Sequence, residues 1–229
     1  IQSISKIITL AVALEICGFD QVFKKVGMEP TGDPFNSLMK LENTDSSPYN
    51  PMINAGAIVV ASCLASEISF DTMLDTIRAL CMDPDINLDK KVYHSEMSHI
   101  SRNRAIAYLL ESKGYIEKNK DVENSLHFYV KMCSLSVTAE SLAGLGLILA
   151  NDGIHPDTGK RLLSSQAVKI VKTLMFTCGM YDGSGEFAVR VGIPSKSGVG
   201  GGILSVVDGE MGIGIFGPAL DLSLIHISE

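Results

Sequence analysis

The stretch Ser3-Ile4-Ser5-Lys6-Ile7-Ile8-Thr9-Leu10-Ala11-Val12-Ala13-Leu14-Glu15-Ile16-Cys17 decides how this chain is read. It is an apolar run of helical length that stops at Gly18, a residue that ends helices because it enters left-handed backbone geometry without a Cβ clash. A serine at the first turn and a lysine three positions later share one helical face, so Ser3 and Lys6 can meet. A serine hydroxyl is a weak nucleophile at neutral pH and needs a neighbour to take its proton. Lysine does this only when neutral. The apolar run predicts a buried Lys6, and burial disfavours the ammonium form. Ser3 and Lys6 are therefore a candidate nucleophile and base. The same spacing recurs at Ser37-Leu38-Met39-Lys40, so the motif alone does not choose between the copies.

A second element lies far along the chain, where Lys196-Ser197-Gly198 precedes Gly200, Gly201 and Gly202. A Lys-Ser-Gly triplet on a strand is the usual companion of a Ser-x-x-Lys nucleophile in serine-lysine acyl-transfer sites. A second cation beside Lys6 would also push its pKa down.

Outward from these motifs, the chain divides by periodicity. Phe19 to Val26 reads as a short helix, and Asn54 to Cys63 as a closely packed one opened by an Asn54 cap. Helical spacing also covers Ser69 to Met82, His94 to Lys113, Val122 to Cys133 and Thr138 to Asn151. Phe187 to Val191 alternates like a strand. Ile203 to Val207 and Met211 to Phe216 flank Asp208-Gly209, a hairpin signal. Short-linked strands pair antiparallel. The expectation is an α+β fold, helical over 1–178 with antiparallel strands over 185–217, and the Ser3 helix packed between the two parts.

With 229 residues and 46% hydrophobic content, the chain can bury a substantial core. A net charge of −7 and no basic stripe argue against nucleic-acid or anionic-membrane partners. The apolar stretches Ile7 to Leu14 and Leu142 to Ala150 are well short of the ~20 residues that span a bilayer. Five scattered cysteines without a Cys-x-x-Cys pair read as reduced core residues of a cytoplasmic protein. His94 and His99 bracket Glu96 at a gap unsuited to two metal ligands on one helical face, so no metal site is expected. Gly198 to Gly202 lacks the Gly-Lys-Ser/Thr of a phosphate loop. His127, His155 and His226 have no partner visible in the sequence and are read as structural.

Six segments together resemble the serine-dependent glutaminases: Gln2-Ser3-Ile4-Ser5-Lys6, Gly27-Met28-Glu29-Pro30-Thr31-Gly32, Asn50-Pro51-Met52-Ile53-Asn54-Ala55-Gly56-Ala57, Arg102-Asn103-Arg104-Ala105-Ile106-Ala107, Cys178-Gly179-Met180-Tyr181-Asp182 and Pro194 to Gly202. The resemblance implies a β-lactamase/penicillin-binding-like fold and hydrolysis of L-glutamine to L-glutamate and ammonia, with no cofactor. It selects Ser3 over Ser37 as nucleophile, with Lys6 as base. It implies an oxyanion site at the backbone N–H groups of Ser3 and Val199, and proton relay by Tyr129 or Tyr181. Glu96 would pair with the substrate ammonium, while Asn54 and Asn103 would bind its carboxylate end. Lys196, Ser197 and Gly198 would support the site. The family often forms homodimers and homotetramers. Two other readings share these residues: a penicillin-recognising acyl enzyme, which has no use for Glu96, and an inactive relative that only binds glutamine.

The resemblance runs from Ile1 to about Asp221, whereas family members extend some tens of residues upstream of the nucleophile. Residues 222–229 fit neither the family nor a final helix, and they read as a non-native tail like translated adapter sequence. The expectation is a partial catalytic domain over 1–221, from a longer reading frame, releasing less ammonia from glutamine than a full-length relative.

Overall fold

The computed structural model describes residues 1–31, 47–118 and 121–217. The second Ser-x-x-Lys copy, Ser37 to Lys40, and the tail 222–229 lie outside the described residues.

Helix α1 (Ser5–Ile16) is the centre of the molecule, and every residue from Ser5 to Leu14 is buried. An apolar helix without a polar face must be enclosed on all sides. Here α3 (Asn54–Ala65), α7 (Val122–Cys133) and α9 (Ser165–Cys178) pack around it. Gly18, at φ +81°, ends α1 and turns the chain into the short helix α2 (Phe19–Phe23). Helix α3 is buried from Asn54 to Leu64. Gly56 lets α3 reach the backbone of Asn50, whose carbonyl oxygen would lie 2.0 Å from an added Cβ.

Side-chain caps fix five of the later helix starts. Ser69 accepts from the Thr72 N–H and opens α4 (Phe70–Leu80). Asp89 accepts from the N–H groups of Lys91 and Val92 and opens α5 (Lys90–Ser98). Asp121 caps α7, Thr138 and Ser141 form a capping box on α8 (Ala139–Ala150), and Ser164 caps α9. Each cap satisfies an N–H that the helix itself leaves unpaired.

Three expectations need correction. The continuous helix expected over His94 to Lys113 is broken into α5 and α6 (Ser101–Ser112) at His99 and Ile100. His99 leaves helical geometry and its Nδ1 lies 2.9 Å from the Ser95 carbonyl, while Ile100 drops into the core at 3% exposure. Phe187 to Val191 is not a strand; it lies largely in helix α10 (Ser184–Arg190), where Arg190 Nε donates to Glu186 at 2.7 Å across one turn. Val189 is 88% exposed, so the alternation there did not mark a buried sheet face. Asn54 does not cap α3: Ile53 occupies the cap position, and the Asn54 side chain turns to Lys6.

Strands β1 (Asn87–Leu88) and β2 (Leu135–Ser136) form a small antiparallel ladder. The main sheet is antiparallel in the order β3 (Ser195–Ser197), β4 (Gly202–Val207), β5 (Met211–Phe216). Lys196 pairs with Leu204, and Ile203 with Ile215. Helix α8 lies flat on β4 and β5 along a glycine seam. A Cβ on Gly214 would sit 1.9 Å from the Ala139 carbonyl oxygen, and one on Gly212 2.1 Å from that of Ala143. Helices on one side of an antiparallel sheet make the α+β arrangement expected from the sequence. Among the described residues, no single helix is long and apolar enough to cross a membrane.

Candidate active site

Ser3 sits on a 3-10 turn (Gln2–Ile4) that runs directly into α1, and it is 8% exposed. Gln2, just before it, takes a left-handed φ of +51°. The end of β3 abuts this turn: a Cβ on Gly198 would lie 3.3 Å from the Ser3 nitrogen and 3.1 Å from the Ile1 carbonyl oxygen. Glycine at 198 is what allows the Lys-Ser-Gly strand to approach the Ser3 backbone.

One turn along α1, Lys6 is 2% exposed and donates to the Met52 carbonyl at 3.0 Å and to Asn54 Oδ1 at 2.8 Å. Burial lowers its pKa from 10.5 to about 8, opposed by Cys133. Lys196 is fully enclosed and donates to the Ser197 carbonyl at 2.6 Å. Burial first, and the charge of Lys6 second, hold Lys196 well below the ordinary lysine range. Two ammonium groups this close in a dry site do not both stay charged easily. Ser197 Oγ is buried with no hydrogen-bond partner in the structure.

Tyr181 joins these groups. Lys196 Nζ lies 3.8 Å and Lys6 Nζ 5.8 Å from its ring centroid. Burial raises its hydroxyl pKa, and the neighbouring Ser3 side chain opposes the rise. Its backbone is left-handed at φ +55°, a conformation that costs a non-glycine residue on the order of 1–2 kcal/mol and persists only where the surroundings enforce it. So the direct neighbour of the Ser3 side chain is Tyr181, while Lys6 bonds to Met52 and Asn54.

Asn54 also links outward, its Nδ2 donating to Asn103 Oδ1 at 3.1 Å. Glu96 reaches the site from α5 and accepts from Gln2 Nε2 at 3.1 Å. Tyr129 on α7 is buried; enclosure raises its pKa first, with Cys133, Tyr181 and Glu96 adding to the rise. The structure thus gathers Ser3, Lys6, Asn54, Glu96, Asn103, Tyr129, Tyr181 and Lys196 around one locus. Val199, 44% exposed, sits just past β3 at its edge.

The sequence reading missed Gln2, the Met52 carbonyl and Cys133. Cys133 lies four residues after Tyr129, neighbours its side chain, and accepts from Ser5 Oγ at 3.8 Å. That i, i+4 spacing on a helix was a usable signal. Among the described residues, no group of three or more His, Cys, Asp or Glu is placed to hold a metal. None of the five cysteines forms a disulfide, and four are buried.

A family model described as Glutaminase matches residues 1–224. The glutaminase of Fusobacterium nucleatum is 53% identical over 225 residues, 96% of this chain and 73% of that protein. Glutaminase 2 of Clostridium perfringens is 51% identical over the same coverage. Among solved structures, a Bacillus glutaminase superposes with a TM-score of 0.92 at 40% identity, over 99% of this chain and 78% of that one. A covalent complex of a Bacillus subtilis glutaminase with 5-oxo-L-norleucine, formed from 6-diazo-5-oxo-L-norleucine, superposes with a TM-score of 0.84 at 38% identity, over 97% and 73%. The α+β, β-lactamase-like fold expected from the motifs is the fold of these structures. With the Ser3 turn and two buried lysines gathered beside Tyr181, and with matches along nearly all its length, this chain belongs to the glutaminase family.

Proposed function

We propose that this chain hydrolyses the side-chain amide of L-glutamine to L-glutamate and ammonia through a γ-glutamyl ester on Ser3. The observation that carries the reading is the convergence of Ser3, Lys6 and Lys196 on Tyr181. With a pKa of about 8, roughly a tenth of Lys6 is neutral at neutral pH, enough to serve as a base. Ser3 Oγ attacks the amide carbon as its proton passes to Lys6. The Tyr181 hydroxyl, beside Ser3, relays that proton to the departing nitrogen, with Tyr129 completing the hydroxyl pair. The bond to ammonia breaks, and water then cleaves the ester by the same proton path in reverse.

The oxyanion rests on the backbone N–H groups of Ser3 and Val199, fixed in place before the reaction. Lys196, Ser197 and Gly198 form the wall that holds this geometry. Glu96 takes the α-ammonium, and Asn54 and Asn103 take the carboxylate end. A half-buried carboxylate left unpaired penalises substrates without that ammonium. No cofactor enters the scheme. The working protein is a homodimer or homotetramer in a bacterial cytoplasm, a reading supported by the bacterial relatives and by the exposed Ile215 and Phe216 at the end of β5.

The test is covalent. The inhibitor 6-diazo-5-oxo-L-norleucine should label the peptide containing Ser3 in the wild type and leave Ser3→Ala unlabelled, and Ser3→Ala should release no ammonia from glutamine. Labelling elsewhere, or turnover by Ser3→Ala, rejects the scheme. Loss of activity in Ser3→Ala with no change in Glu96→Ala would favour a penicillin-type acyl enzyme instead.

A further inference from the structure

Helix α5 carries Glu96 into the site, yet none of its nine residues is buried. Most helices are located by an apolar face. This one has only the half-buried Tyr93 and Met97 against the core, so polar tethers must set much of its position. At its start, the Asp89 N–H donates to the Ser134 carbonyl at 2.9 Å, next to the β1–β2 ladder. Near its end, Gln2 holds the Glu96 carboxylate itself. Between them is one contact that the sequence did not disclose: the Tyr93 hydroxyl lies 2.5 Å from His127 Nδ1 on α7. With its proton on Nε2, the imidazole accepts this hydrogen bond.

Tyr93 precedes Glu96 by three residues, so the two share a face of α5. His127 precedes Tyr129 by two residues on α7, a helix buried along most of its length and packed against α1 and α3. The bond therefore ties the exposed helix that bears the carboxylate to a rigid helix of the core. We propose that the Tyr93–His127 hydrogen bond is a positioning contact that sets the reach of Glu96 to the substrate ammonium, and so controls substrate affinity rather than the chemical step. This rests on the reading of Glu96 as the ammonium partner.

The experiment measures kcat and KM for L-glutamine by ammonia release, and the dissociation constant of L-glutamate, which carries the same ammonium, by calorimetry. Tyr93→Phe and His127→Ala should each raise KM and weaken glutamate binding roughly fivefold, the scale of one lost neutral hydrogen bond, with kcat within about twofold. The double variant should be no worse than either single one, because both remove the same bond. His127→Asn, whose amide oxygen can stand where Nδ1 stood, should restore the wild-type KM. A merely structural role would lower the melting temperature without this split and without rescue.

If His127→Ala does not melt cooperatively, Tyr93→Phe decides, since it removes a single oxygen. An unchanged KM in a folded Tyr93→Phe, a parallel fall in kcat, or additive effects in the double variant would overturn the proposal. Glu96→Gln separates the two levels. A large rise in its KM alongside an unaffected Tyr93→Phe rejects only the positioning contact, while an unchanged KM in Glu96→Gln rejects the ammonium reading and this inference with it.

Discussion

Replacing Lys6 by methionine should flatten the way stability depends on pH. In the folded protein the Lys6 pKa is lowered from 10.5 to about 8, which corresponds to about 3 kcal/mol of destabilisation while the group is protonated. Below the folded value both states hold the proton and the penalty is complete. Between about 8 and 10.5 the unfolded chain binds more protons than the folded one, so stability rises with pH through this window. From about pH 7 to about pH 9.5 the gain integrates to about 2 kcal/mol. Methionine has nearly the same length and no charge, so the gain vanishes in Lys6→Met. The variant also relieves Lys196 of its neighbour's charge, which enlarges the difference in the same direction.

The static effect of the substitution is less telling, because two contributions oppose one another. Removing the buried charge stabilises, while the Met52 carbonyl and Asn54 Oδ1 lose their donor, at about 1–3 kcal/mol each. Urea melts of wild type and Lys6→Met across this pH range isolate the slope. Parallel curves for the two proteins would mean that Lys6 titrates normally in the fold, and the argument for a neutral base would collapse.

The same pKa sets a kinetic expectation: kcat/KM should rise with pH through about 8 as neutral Lys6 accumulates, and a profile flat from about pH 6 to 9 would contradict it. Tyr181→Phe removes the hydroxyl beside Ser3 and should lower kcat on the order of 10²–10⁴-fold with a smaller change in KM; steady-state ammonia release checks this. Gly214→Ala drives a methyl into the Ala139 carbonyl at the α8 seam and should cost about 3 kcal/mol or more. Gly185→Ala, with open space at its Cβ inside α10, should stabilise by about 0.5–1 kcal/mol. Thermal melts of this pair measure both.

Where local chemistry decided the structure, it could be read from the residues. The Lys6 burial followed from the uniform apolar run of α1, the hairpin from Asp208-Gly209, and α7 from the apolar spacing of Val122 to Cys133. Where long-range packing decided, it could not. The spacing from His94 to Lys113 stays helical across His99, and only the burial of Ile100 explains the break. Five residues around Phe187 are too few to separate a strand period from a helix period. Asn54 looks like a cap in one dimension, but it answers to Lys6, 48 positions away. Tyr93 and His127 are 34 positions apart and carry no local signature of their pairing.

The enclosure of α1 has a consequence for how the protein fails. Its amides are shielded on all sides, so they can exchange with solvent only when the whole core opens. Ser3, the proposed nucleophile, hangs from one end of that rod, and on that proposal catalytic competence and global cooperativity are a single property. Under rising denaturant, loss of turnover should track the main unfolding transition instead of preceding it, and no half-folded form of the chain should retain a working serine.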